Sequence, residues 1–348
     1  MAIKNIVRKG KQKKHRNMIY LTRAQRAALL EELRELSKFS TTANLLAAKI
    51  QSSRVLSQQT MDESMTHVST TRNKLLITDE DQRKLADTTV GFFGLSVGSH
   101  AALTWMMLSR ATHIKIADSD NISPSNLNRL RLGWSTVGKK KIEITKKQLL
   151  DIHPATHVST LAKTGGTHMK EFCTQKPTVD CIIDEIDDLE GKIHLRSTAR
   201  AMRIPLISAV DVGENVIIDI ERYDTQPNTK FFLGRIPNIE QIHLASLTPL
   251  QKARLIIRLV GLEHNSNEML CSLLAIGKEI GTWPQLGSTA TIAGGIVATT
   301  IAKIIRGAPV KSGRYIFEMD KLLGLSISKV EMKRQLKLKK SIRDAFDI

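Results

Sequence analysis

Between residues 90 and 209 the chain repeats one pattern: a short, mostly apolar run, a turn, a helical stretch, and another apolar run. The runs fall at 90–93, 113–117, 157–162, 179–183 and 205–209; the stretches 97–111, 138–151 and 189–202 carry helical periodicity. Parallel strands need helical crossovers and are buried on both faces, which is what short apolar runs separated by helices provide. The order predicts an α/β fold, a doubly wound, mainly parallel sheet that binds its ligand beyond the carboxyl ends of the strands. An extended segment at 215–223, a mostly helical stretch at 241–307 and a last strand at 315–319 complete the body.

Ahead of this body the sequence changes character. Residues 1–18 read as a flexible basic arm. Thr22 and Gln25 make a capping box that opens a helix with Leu29, Leu30, Leu33 and Leu36 on one face. A second helix is expected over 42–58, and the Ser-, Thr-, Met- and Gln-rich stretch 57–71 reads as a linker. The expected organisation is an arm (1–18), a helical extension (19–60), a main domain (70–328) and a basic tail (329–348). Hydrophobic residues at 41% and charged residues at 25% of 348 supply a sizeable core and exclude a mainly disordered chain. Aromatics at 4% are too few for a stacking platform on single-stranded nucleic acid.

The net charge of +18 is concentrated at the ends. Residues 1–50 carry +9 and residues 329–348 carry +4, leaving +5 over the 278 between. Such ends attract nucleic acid, an anionic membrane or an acidic protein by long-range electrostatics, without choosing among them. The three cysteines, Cys173, Cys181 and Cys271, form no C-x-x-C pair, which excludes a four-cysteine zinc site and suggests a reducing compartment. The longest apolar stretch, 289–302, is short and rich in Thr and Gly, so a buried helix is expected there and no membrane span. The basic start is not followed by an apolar core of the kind that marks a secretory signal. A cytoplasmic setting follows as the expectation.

The chemistry-bearing residues cluster after the first two strands. Gly94, Ser96 and Gly98 form a turn between a strand and a helix, where backbone N–H groups and the helix dipole face an anion. Asp118 ends the second strand, 20 residues after Gly98, and an acid there can accept from a ribose. That pair suits NAD and ATP equally. Asp120, Asn126, Arg129 and Lys141 follow, and two cations beyond the ribose acid suit a triphosphate, whose charge they neutralise and whose pyrophosphate they help to leave. Further on, Asp184, Glu185, Asp187 and Asp188 follow a buried strand, well placed for Mg²⁺.

Together these motifs resemble the ThiF/MoeB/HesA family, the Rossmann-like adenylating domain shared with ubiquitin-activating enzymes. The resemblance rests on the glycine turn, on Asp118, Asp120, Asn126 and Arg129 at the family's spacing, on Val137, Gly138 and Lys141, and on Asp184 with Asp187. The lead-in from Gln82 to Leu85 and the segment from Trp283 to Gly287 also fit, and the match runs over about residues 70–320. The variants G-L-S-V-G and D-D-L look most like a bacterial branch associated with nitroreductase-like domains.

The resemblance implies ATP-dependent adenylation of a carboxylate, either a protein or peptide C-terminus or a small acid, giving an acyl-adenylate and pyrophosphate. It implies ATP and Mg²⁺, and a homodimer. Asp118 would hold the ribose; Arg129 and Lys141 would act on the phosphates; Asp187 would bind Mg²⁺. Gly94 and Gly98 would admit the nucleotide, Asn126 would support the Arg129 loop or a phosphate, and Arg72 would reach a triphosphate from the partner subunit. The zinc cysteine pairs of many members are absent, and Ser96 and Val97 stand where other members have glycine. Cys271, the one candidate acyl acceptor in the later half, sits among Met269, Leu270, Leu273 and Leu274 and reads as helix packing. Alternatives in the same family are a tRNA-modifying dehydratase, which would give the basic ends nucleic acid to bind, and a catalytically weak nucleotide-binding partner subunit.

Overall fold

Strand β1 (Val90–Phe93) is buried along its whole length because it is central, hydrogen-bonded to a neighbour on each side. The computed structural model describes residues 21–53, 56–163 and 167–348, and the expected basic arm lies outside them. β1 is followed by β2 (His113–Ala117), β3 (His157–Leu161), β4 (Cys181–Asp184), β5 (Pro205–Val212), β6 (Asn215–Arg222) and β7 (Gly313–Phe317). They form one sheet in the order β3-β2-β1-β4-β5-β6-β7. The pairings from β3 through β5 are parallel; β6 and β7 run antiparallel. After β3 the chain returns to the other side of β1, which puts the switch point between β1 and β4. The expected doubly wound, mainly parallel sheet is therefore present. The antiparallel edge arises at Gly213, whose φ of +72° allows the two-residue turn joining β5 to β6.

The chain divides into two units, residues 1–72 and 73–348. The first holds α1 (Arg23–Ser37), α2 (Thr41–Ser52) and α3 (Gln58–Ser69), around Leu33, Ala43, Leu46, Ala47 and Ile50. The Thr22–Gln25 capping box forms as expected. The segment read as a linker is instead α3. Ser57 caps it by accepting the Thr60 N–H (3.1 Å), and Met61 is buried. Its Ser/Thr-rich composition hid a helix whose start is a serine cap.

In the second unit the helices are α4 (Asp79–Asp87), α5 (Val97–Ser109), α6 (Lys141–Ile152), α7 (Thr167–Thr174), α8 (Leu189–Met202), α9 (Pro249–Val260), α10 (Asn267–Ala275), α11 (Gly287–Ile305), α12 (Met319–Leu322) and α13 (Lys329–Phe346). One face of the sheet packs against α5, α6 and α11 through residues such as Trp105, Leu149 and Val297, and the other against α7 and α8 through Phe172 and Leu195. Among the described residues only α11 is long and apolar enough to cross a membrane; half of its apolar window is buried within the fold, as a core helix would be. The basic C-terminal segment is the helix α13, docked on α10 and α9 through buried Ile342.

Candidate active site

The carboxyl ends of β1, β2 and β4 lead into most of the residues singled out above, and hydrogen bonds link the glycine turn, Asp118, Asp120, Lys141 and Arg129. Asp118, just past β2, is 4% exposed. Its Oδ2 accepts the Leu95 N–H (2.7 Å) and its Oδ1 the Asp120 N–H (2.7 Å), so one carboxylate fixes both the glycine turn and the following loop. Burial pushes its pKa up, against the opposing field of Lys141 and the two N–H groups. Lys141, at the start of α6 and buried, donates to Asp120 Oδ2 (2.9 Å). An ammonium has three N–H donors, so two remain for a ligand.

Arg129 ends the short 3₁₀ turn Pro124–Asn128. Asn126 shapes that turn, its Oδ1 accepting the Ser123 N–H (3.1 Å) and its carbonyl the Arg129 N–H (3.1 Å). The Arg129 guanidinium donates through Nε to Ser96 Oγ (3.0 Å) and through Nη1 to Asn128 Oδ1 (3.1 Å). Ser96 thus anchors the arginine to the turn at the head of α5. His100 on α5, nearly fully buried, donates from Nε2 to the Arg129 carbonyl (2.5 Å). Burial lowers its pKa, against the opposing hydrogen bond to the Arg129 carbonyl.

Gly94 has φ +88°, and a Cβ there would lie 2.3 Å from the Glu185 carbonyl oxygen. A Cβ at Gly98 would lie 3.3 Å from the Glu185 side chain. These glycines therefore also let β1 and α5 close against the end of β4. Beyond β4 the acids part ways. Asp184 is fully buried and meets Lys192 (3.2 Å) and Arg196 (2.6 Å). Asp188 caps α8, accepting the Gly191 N–H (2.7 Å). Glu185 Oε1 accepts the Ala209 N–H (2.8 Å), and desolvation raises its pKa well above the usual range. Asp187 is exposed.

One more acid belongs here, and the sequence did not point to it. Asp211, on β5, is 4% exposed; its Oδ1 accepts from Gln285 Nε2 (3.0 Å), while its Oδ2 is buried without a hydrogen-bond partner. Desolvation raises its pKa, and the charges of Arg129 and Asp187 act on it in opposite directions. Gln285 in turn accepts at its carbonyl from Asn128 Nδ2 (2.7 Å), so the segment ahead of α11 closes the site against the Arg129 loop. A signal existed in the polar Asp211 interrupting an apolar strand run, but its partner lies 74 residues further on.

Among the described residues no group of three or more His, Cys, Asp or Glu side chains is placed to hold a metal. Mg²⁺ asks for less, one or two carboxylates with phosphate oxygens and water. Exposed Asp187, with the unpartnered Asp211 oxygen acting on the same arginine, fits that requirement. Arg72 closes the first unit, within the turn Thr71–Asn73. Of the cysteines, Cys173 and Cys181 are buried, with the Cys173 thiol pushed up to about 12 by burial. Cys271 on α10 is half-buried, its Sγ 3.6 Å from Arg334 Nη2.

A parallel sheet with a glycine turn, a buried strand-end acid and two cations gathered at its carboxyl edge defines a nucleotide-binding α/β protein. More narrowly, the chain belongs to the ThiF family, whose model matches residues 70–340. It is 30% identical over 243 residues to an uncharacterized protein of Mycobacterium tuberculosis, covering 70% of this chain and 33% of that one. It is 32% identical over 169 residues to the tRNA threonylcarbamoyladenosine dehydratase of Bacillus subtilis, covering 46% of this chain and 65% of that enzyme. The chain thus spans a third of the first relative and just under two thirds of the second. Among solved structures it resembles Escherichia coli MccB with MccA-N7isoASN at a TM-score of 0.53 and 15% identity, covering 87% of each chain, a likeness of fold.

Proposed function

We propose that the second unit binds ATP with Mg²⁺ at this edge of the sheet and transfers AMP to a carboxylate. The observation that carries the reading is the single hydrogen-bonded chain from the α5 turn through Asp118 and Asp120 to Lys141, and from Ser96 to Arg129. Asp118 holds the ribose. The N–H groups at the head of α5 and the cations Arg129 and Lys141 take up phosphate charge, and Asp187 holds the metal, which when bound adds its own positive charge to the phosphates. A carboxylate oxygen attacks the α-phosphorus, the bond to pyrophosphate breaks, and an acyl-adenylate forms. The chain's part is positioning and stabilising charge on the leaving pyrophosphate. Arg72, supplied by the partner of a homodimer, completes the phosphate site. The three free cysteines support a cytoplasmic setting.

The acyl substrate is a protein or peptide C-terminus or a small acid. Exchange of labelled pyrophosphate into ATP, driven by short peptides with free or amidated C-termini, tests the reading. Free carboxylates should support exchange and amides should not, and Arg129→Ala should lower it about 100-fold or more. Exchange that ignores the carboxylate would overturn it.

A second reading shares the site. The Bacillus subtilis relative is named for a dehydratase acting on tRNA, and this chain has basic ends. Adenylation followed by internal attack with loss of AMP removes the elements of water from a carboxylate. On this reading the full chain retains tRNA with affinity that falls steeply as salt rises.

A further inference from the structure

The second unit exposes one stretch that neither the nucleotide site nor the core accounts for. Every residue from Asp320 to Arg334 is exposed, although the stretch includes most of α12 and the first turn and a half of α13. Seven large apolar side chains stand in water between residues 322 and 336, among them Leu322, Leu323, Leu325 and Val330, each between 45% and 78% exposed. Isolated exposed leucines are ordinary, but a run of them within 15 residues marks a surface that meets something apolar.

The helix that the stretch runs into is strongly basic. α13 turns Ile342, Leu338 and Phe346 inward against α10 and α9, and its outward face carries Lys329, Lys333, Lys337 and Lys340 at helical spacing. Lys/Arg outnumber Asp/Glu seven to three over 329–348. The occupant must therefore be both apolar and anionic. A second copy of this chain would bring the same lysines against these, and like charges repel. Nucleic acid satisfies the lysines but leaves the leucines in water, and no exposed aromatic side chain lies within the stretch to stack on bases. Anionic lipid satisfies both, because apolar side chains enter the acyl boundary while lysines stay at the headgroup phosphates.

We propose that α12, the 323–328 connection and the outward face of α13 form a docking surface for an anionic lipid membrane. The protein lies on the membrane there and does not span it. The lysines supply attraction that salt weakens, and the leucines supply burial that salt does not weaken.

The test is co-sedimentation of the full chain with vesicles of phosphatidylcholine alone or with about a third phosphatidylglycerol, at about 0.15 M salt. Two variants at exposed positions are compared, Leu322→Ser with Leu325→Ser, and Lys333→Glu with Lys337→Glu, each checked for a wild-type circular dichroism spectrum and melting curve. Binding should appear on the anionic vesicles alone, and each variant should weaken it at least about tenfold. No binding to either vesicle would overturn the proposal, as would equal binding to both. Binding lost with the lysines but untouched by the leucine changes would overturn it in favour of a purely ionic partner such as RNA or an acidic protein. A leucine variant that changes only the size of the protein in solution would assign the patch to protein contact and overturn it as well.

Discussion

Asp184 and Asp187 are three residues apart and have opposite surroundings. Asp184 is sealed in the sheet with Arg196, whose guanidinium also bridges Glu221 (2.8 Å) and lies 3.8 Å over the Phe232 ring. Removing one partner of such a buried group strands the other, so Asp184→Ala should cost about 3–5 kcal/mol, read by urea denaturation. Burial alone would raise the Asp184 pKa, but Lys192 and Arg196 outweigh it and hold the carboxyl below the usual range. A carboxyl whose folded pKa is depressed adds stability above its unfolded pKa and loses it as pH falls through the folded value. The gap between wild type and Asp184→Ala should accordingly narrow in acid and be full at neutral pH. Asp187, exposed, should change stability by no more than about 0.5 kcal/mol when replaced by Ala. From the sequence both read as strand-end carboxylates suited to Mg²⁺. Their difference comes from Lys192 and Arg196 on α8, which reach Asp184 from 8 and 12 residues further along the chain. Ser96 is the reverse case: read as the loss of a glycine, it holds Arg129.

At the scale of elements, the glycine turn works because α5 and α11 pack closely behind it. Gly294 of α11 sits so near α5 that a Cβ would lie 2.6 Å from His100 Cβ. Gly294→Ala should destabilise the chain by about 1–3 kcal/mol through overpacking, and should displace His100 from the Arg129 carbonyl. Denaturation reads the first effect, and a weaker response to ATP reads the second. The strands were legible because short apolar runs between Gly and Asp boundaries have few other readings: β1 and β2 fall where the pattern put them. Element ends were less legible. α6 was expected from residue 138 and begins at Lys141, because Gly138 at φ +83° belongs to the preceding turn. α3 was missed because Ser, Thr and Gln suit linkers and capped helices alike.

For the whole molecule, the charge asymmetry seen in composition becomes a surface. The C-terminal part of it is an ordered helix with an outward row of lysines, which composition alone could not distinguish from a solvated tail. The homodimer proposed above calls for an apolar face to bury. Between α11 and the β6–β7 edge of the sheet lies an apolar groove of about 500 Å³ lined by Ile218, Ile292, Ile296, Tyr315 and Phe317. Light scattering after size exclusion should give twice the chain mass, and Ile296→Glu with Tyr315→Glu should give the monomer; a monomeric wild type would contradict the dimer.

The central claim is that this sheet edge binds ATP with its metal. Thermal unfolding of the full chain with ATP and Mg²⁺, with AMP, with NAD or with no ligand, for wild type, Arg129→Ala and Asp187→Ala, tests it most directly. Ligand at 100 times its dissociation constant should stabilise wild type by about 2.7 kcal/mol. We predict a clear upward shift for wild type with ATP and Mg²⁺, lost in Asp187→Ala and Arg129→Ala, and none with NAD. A wild-type melting curve that ATP and Mg²⁺ leave unmoved, or that NAD alone raises, would contradict the account.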